Sequence, residues 1–212
     1  MKPEIPSSDA KSCPLLDRLA APLPPGGGSA AAHTAAAGAA LVSMVAYMAL
    51  EKASPLQFSR LQKIIKKTES LRSKLSAAVD QDAEVYNAFL EMRRNPGKSS
   101  GTPDSQFFDL QCKTIKVPLK VAERALKVYT LALQVSALGR KSNVTDAISA
   151  AVLANASINI CTMNARANCR HLKDPDTVHQ YMKRIEEIET DVTNLHTALG
   201  DTLAERKIHI PL

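Results

Sequence analysis

Apolar residues return at every third or fourth position along most of this chain. From Pro55 to Arg94 the series Leu61, Ile64, Ile65, Thr68, Leu71, Leu75, Ala78, Val79, Val85, Tyr86, Phe89 and Met92 keeps that spacing, the signature of one buried helix face. Such a helix would span about 60 Å if straight. A second stripe runs from Asp104 to Leu138 through Leu119, Ala122, Leu126, Tyr129 and Leu133. Pro118 lies inside it and predicts a kink or break, because proline donates no backbone hydrogen bond; Gly139 predicts its end. A further helix is expected from about Asp146 to His171, capped by Thr145 or Asp146. The last begins at Asp174-Pro175 and turns Val178, Met182, Ile185, Ile188, Val192, Leu195, Leu199 and Leu203 inward. Near the start, Leu15, Leu16 and Leu19 suggest a short helix ending before Pro22, Pro24 and Pro25. Gly26, Gly27 and Gly28 form a turn, and Ser29 is the expected N-cap of a helix reaching about Lys52. No strand-like alternation recurs. The pattern predicts an all-α, antiparallel up-and-down bundle of five to six helices. It forms one domain over 14–212, with a flexible polar arm over 1–13.

Composition sharpens this picture. The chain has 212 residues, of which 45% are hydrophobic but only 4% aromatic, with no Trp. The core must be aliphatic and rich in Ala, which suits packed helices. The net charge of +6 favours anionic partners. No Lys/Arg block exceeds two residues, and aromatic residues are too few for base stacking, so no nucleic-acid partner is expected. Cys13, Cys112, Cys161 and Cys169 form no CxxC pair and have no His at zinc spacing. They read as reduced thiols of a cytoplasmic protein with no metal site. Ser29 to Leu50 is uncharged, yet dominated by Ala, Gly, Ser and Thr, which insert weakly into bilayers. It also starts too late for a signal peptide. No membrane partner is expected; small side chains instead let helices approach closely, within a bundle or across a subunit contact.

One carboxylate breaks the pattern. Along Leu71, Leu75, Ala78, Val85 and Phe89, Asp82 takes an apolar slot. Asp80 falls with Ser73, Ser76, Glu84, Asn87 and Glu91 on the polar face. A buried carboxylate needs a partner, a wet cavity or a chemical role. Desolvation would lift its pKa toward the range of a general acid or base. Pairing with a basic residue of another helix and catalysis stand level at this point. Further on, Ser157, Cys161, Asn164 and Asn168 share one face with Ala150 and Ala154, a small polar surface suited to helix packing or to a pocket wall. The triple glycine could offer backbone N–H groups to an anion, although it lacks the remaining residues of a phosphate-binding motif.

Read together, these blocks resemble a known family. PGGGSAAA followed by AAGAALVSMV (25–45), VDQDAEVYNAF (79–89), VPLKVAERAL (117–126), SNVTDAISAAVL (142–153) and NARANCRHLKD (164–174) occur in the order found in the C-terminal family of formiminotransferase-cyclodeaminase. That family includes free-standing methenyltetrahydrofolate cyclohydrolases. The resemblance implies an all-α homodimer acting on a tetrahydrofolate derivative, polyglutamylated forms included, with no permanently bound cofactor and folate seated near the subunit interface. It implies Asp82 as the catalytic aspartate, the residue that the stripe isolates independently. It places Gly26, Gly27, Gly28, Ser29, Asp146, Asn164 and Asn168 at substrate-binding positions. Departures from the family pattern fall at Tyr47, Ala49, Glu51, Arg93, Arg94 and Arg140, positions where contacts to folate would change.

Overall fold

The three-to-four-residue periodicity becomes six α-helices in the computed structural model, which describes residues 14–94 and 103–208. They are α1 (Pro14–Leu19), α2 (Gly27–Leu50), α3 (Pro55–Arg94), α4 (Pro103–Leu138), α5 (Val144–Cys169) and α6 (Pro175–Glu205), with a 3₁₀ turn at Lys141–Asn143 before α5. The expected arm over 1–13 lies outside the described residues. Helices α2, α3, α4 and α5 pack around one core, each on its two neighbours and α2 also on α4, and α6 lies outside them on α4 and α5.

The core is aliphatic, as the composition requires. Leu61 and Leu75 of α3, Ile115, Val121, Val128 and Val135 of α4, Ile158 of α5, and Ile185, Ile188 and Leu199 of α6 are fully buried. Each such side chain contributes about 1.5–3 kcal/mol on removal from water. The α2–α5 contact is built differently. Ala31, Ala32, Ala35 and Ala39 face Ala147, Ala150, Ala151 and Ala154, all buried. A methyl group added at Gly38 would lie 3.0 Å from the Ala150 carbonyl oxygen. The two backbones therefore touch almost directly, which explains the run of very small residues in the sequence.

Three local expectations are corrected. Of the kink or break expected at Pro118, the break is absent: α4 is continuous from Pro103 to Leu138. A proline at this position leaves the carbonyl four residues earlier, Thr114, without its helical donor. The Asn168 side-chain amide donates to that carbonyl at 2.8 Å, so the orphan acceptor is satisfied from α5. Ser29 is not an N-cap, since α2 begins at Gly27 with Gly26 in the cap position. Neither Thr145 nor Asp146 caps α5; the cap is Asn143, which makes no side-chain capping bond. The α6 start behaves as the sequence suggests, with the Thr177 N–H donating to Asp174 Oδ2 at 3.0 Å.

Two helices, Gly27–Leu50 and Val144–Cys169, are long and apolar enough to cross a membrane, but 44% and 50% of their most apolar stretches are buried in the bundle. They are its inner helices. Between Asp146 and Arg166 of α5, and along the whole of α2, the exposed surface carries no Asp, Glu, Lys or Arg: Ala37, Ala40, Met44, Tyr47 and Met48 of α2 and Val152 and Met163 of α5 are exposed.

Candidate functional site

At one end of the bundle, the N-terminus of α2 meets the middle of α3. Ser29 is fully buried, and its hydroxyl donates to the Val79 carbonyl at 2.7 Å and toward Asp82 Oδ2 at 3.3 Å. The Asp82 carboxylate sits over the first turn of α2, where free N–H groups and the helix dipole favour negative charge. A methyl group at Gly28 would lie 2.5 Å from Asp82 Cγ and 2.6 Å from Oδ2, and nearer still to Oδ1. Only glycine admits the carboxylate at that distance. A methyl group at Gly26 would meet nothing within 4 Å, and one at Gly27 would make ordinary contact with Asn164 Nδ2 at 3.6 Å. The three glycines are thus not equivalent, and Gly28 is the one that the site demands.

Asp82 is half-buried. Desolvation raises its pKa above the ordinary 3.8, opposed by hydrogen bonds from the Ser29 side chain and backbone. No cation pairs with it among the described residues. Asp80, two residues away, is instead exposed and bridged to Arg18 at 3.1 Å. The division of labour that the helical stripe implies for these two acids is therefore visible in their surroundings.

Asp82 opens onto a cavity of about 310 Å³. Its walls come from four places: Pro24 with the glycine turn; Ala83, Val85 and Tyr86 beside the carboxylate; Thr114, Val117 and Pro118 of α4; and Asn164, Ala167 and Asn168 of α5. The Asn168–Thr114 bond fixes the corner where α4 and α5 meet. Tyr86 was expected in the core, but it is exposed at the rim of the cavity. Its ring continues an aromatic chain through Phe89 to Phe107, with centroids 6.4 and 5.8 Å apart. Tyr86 is a site residue that the sequence reading assigned to packing; its apolar spacing gave no sign of its exposure.

The small polar face of α5 runs from the core into this cavity. Ala150, Ala154, Ser157 and Cys161 are buried, while Asn164 and Asn168 reach the wall. Burial and the negative charge of Asp82 push the Cys161 thiol up to about 12, so it stays protonated and is not a nucleophile. Among the described residues no three His, Cys, Asp or Glu side chains gather as metal ligands.

Asp146 is not brought to the cavity. It lies in the first turn of α5, about 27 Å along that helix from Asn164, at the opposite end of the bundle. Glu51 and Arg140 lie at that far end too, and they are bonded to each other at 2.7 Å. Two positions singled out in the sequence thus meet each other away from the cavity. Tyr47 lies on the outer face of α2, and Arg93 and Arg94 are exposed at the end of α3.

The fold and the cavity together define an all-helical protein with one desolvated carboxylate, without a cationic partner among the described residues, facing two amide side chains. The chain belongs to the formiminotransferase-cyclodeaminase family, whose profile matches residues 14–187. It is 27% identical over 196 residues to the methenyltetrahydrofolate cyclohydrolase of Methylorubrum extorquens, covering 90% of this chain and 94% of that one. It is 29% identical over 177 residues to the formimidoyltransferase-cyclodeaminase of Mus musculus, covering 78% of this chain but 32% of that longer protein. The crystal structure of a formiminotetrahydrofolate cyclodeaminase from Thermotoga maritima has the same fold, with a TM-score of 0.81, 20% identity, and coverage of 92% of this chain and 97% of that one.

Proposed function

We propose that this protein is a folate one-carbon enzyme that hydrolyses the 5,10-methenyl bridge of tetrahydrofolate to the 10-formyl form, with Asp82 as the base. The observation that carries the reading is the Asp82 carboxylate: desolvated, unpaired, and held at a cavity mouth by Ser29 and the α2 N-terminus. The relative of matching length, covered over 94% of its chain, bears the cyclohydrolase name.

The methenyl carbon bridges N5 and N10 and carries cationic character. Water attacks that carbon while Asp82 accepts one of its protons. The neutral tetrahedral adduct then opens: the carbon–N5 bond breaks, the carbonyl forms, and the hydroxyl proton is passed to N5. Asp82 releases its proton to solvent, so one proton leaves per turnover. Before attack, the ionised carboxylate stabilises the cationic bridge. Asn164 and Asn168 provide amide groups for the polar edge of the pterin, and Tyr86 an aromatic face beside it. The glycine turn lets the substrate approach the backbone.

A second reading, ring closure of the formimino derivative with loss of ammonia, is favoured by the relatives named formimidoyltransferase-cyclodeaminase. It uses the same carbon and the same carboxylate. Two absorbance assays separate the two: decay of the methenyl chromophore supports hydrolysis, and its appearance from the formimino substrate supports deamination. Turnover of neither substrate would overturn the catalytic reading and leave a folate-binding or interaction module.

We also propose a homodimer formed through the uncharged outer faces of α2 and α5. No Asp, Glu, Lys or Arg lies within 27–50 or 147–165, although 23% of the chain is charged. A second copy would remove Met44, Tyr47, Met48 and Met163 from water. The compartment that fits three buried, unpaired cysteines is the cytoplasm.

A further inference from the structure

One stretch of this chain is strongly basic. Between Arg60 and Lys74, α3 carries six basic side chains and one acid, Glu69. Glu69 is already occupied by Ser43 and Arg72. Like charges three and four positions apart repel by a few tenths of a kcal/mol per pair, so Lys63, Lys66 and Lys67 weigh against the helix that carries them. None of Arg60, Lys63, Lys66, Lys67, Lys74 and Lys127 forms an ion pair among the described residues.

These cations border a groove between α3 and α4. One part has a volume of about 760 Å³ and is floored by Leu71 and Leu131. It continues into a second part of about 420 Å³ floored by Ile64 and Leu138, and the two share Lys63, Lys67 and Gln134. Among the described residues no acid lines either part. The groove runs alongside α3 for about 21 Å, and it shares no residue with the cavity at Asp82.

We propose that this groove binds an acidic amphipathic helix of a partner protein. A floor of aliphatic side chains between rims of lysine is complementary to a helix with a leucine stripe flanked by carboxylates. Its length accommodates about four helical turns. The shape disfavours other polyanions: no aromatic side chain is present to stack on bases, and a concave aliphatic floor cannot reach a flat lipid surface. The site is independent of the proposed chemistry at Asp82.

The test is fluorescence anisotropy of the full chain with a labelled sixteen-residue peptide bearing Leu at every third and fourth position and Glu on both flanks. Binding in the micromolar range (about −8 kcal/mol) is expected, weakening by at least tenfold in the Lys67→Glu/Lys127→Glu variant and in Leu71→Gln. Unchanged circular dichroism would show that these variants fold. A scrambled peptide of the same composition should bind at least tenfold less well. Binding no better than millimolar, equal binding of the scrambled peptide, or tighter binding of a sixteen-base-pair duplex or of phosphatidylserine vesicles would overturn the proposal.

Discussion

The Asp82 carboxylate occupies the space in which a side chain at Gly28 would stand. Gly28→Ala must therefore push the carboxylate away from the α2 N-terminus or shift α2 itself. We expect a loss of methenyl-hydrolysis rate of about 100-fold, the scale on which misplacing a reacting group by an ångström acts. Gly26→Ala meets nothing within 4 Å and leaves the carboxylate in place, so it should cost less than Gly28→Ala and act through KM, by crowding the cavity wall. Absorbance decay of the methenyl substrate measures both.

Asp82→Asn should cost about 10²–10⁴ in rate, the range for removing a general base, without loss of fold. Linkage gives the sign for stability. Burial raises the folded pKa of Asp82, so its contribution is fully present below the unfolded value and is lost as pH rises through the folded one. At neutral pH the ionised carboxylate weighs against the native state. The melting temperature of the Asn variant at neutral pH should therefore be no lower than that of the parent, and calorimetry reads this directly.

The base form of Asp82 performs the proposed step, so the rate should fall as pH drops through its raised pKa. The Ser29 hydroxyl holds that pKa down by donating to the charged form. Ser29→Ala should move the acidic limb of the rate profile to higher pH. A limb that stays in place would show that a different group sets it.

Asn168→Ala leaves the Thr114 carbonyl without the donor that replaces Pro118. A buried polar group left unpaired costs about 1–3 kcal/mol. At about 2–4 °C per kcal/mol for a chain of this size, thermal melts should resolve the change. Restoring a helical donor with Pro118→Ala in the same chain should recover part of it, a coupling that a double-mutant cycle quantifies.

Tyr47→Glu with Met44→Lys places charges on the uncharged face of α2. Sedimentation should show the parent as a dimer and this variant as a monomer. A variant that remains dimeric would place the contact elsewhere.

The helices were legible in the sequence because burial enforces their period. Leu61, Ile64, Leu75, Ile185 and Leu199 could be assigned inward from spacing alone. Asp82 was legible for the same reason, as a polar intruder in an apolar register. What escaped the sequence depends on partners distant along the chain. Pro118 reads as a kink or a break, and nothing near it in sequence shows that Asn168, on another helix, satisfies the freed carbonyl. Ser29 reads as a cap because serine beside glycine usually is one; its hydroxyl instead reaches Val79 and Asp82 on α3. Tyr86 fits the stripe, yet it sits where the opposing helices part, so periodicity placed it inside. The Glu51–Arg140 bond joins two residues that look independent along the chain.

Asp82 is anchored by a serine fifty-three positions earlier, across two helices that must first pack against each other. Neither α2 nor α3 alone can assemble this arrangement. A partly folded chain would thus be silent in the assay even with most of its helix formed, and turnover would count only the molecules that have finished docking.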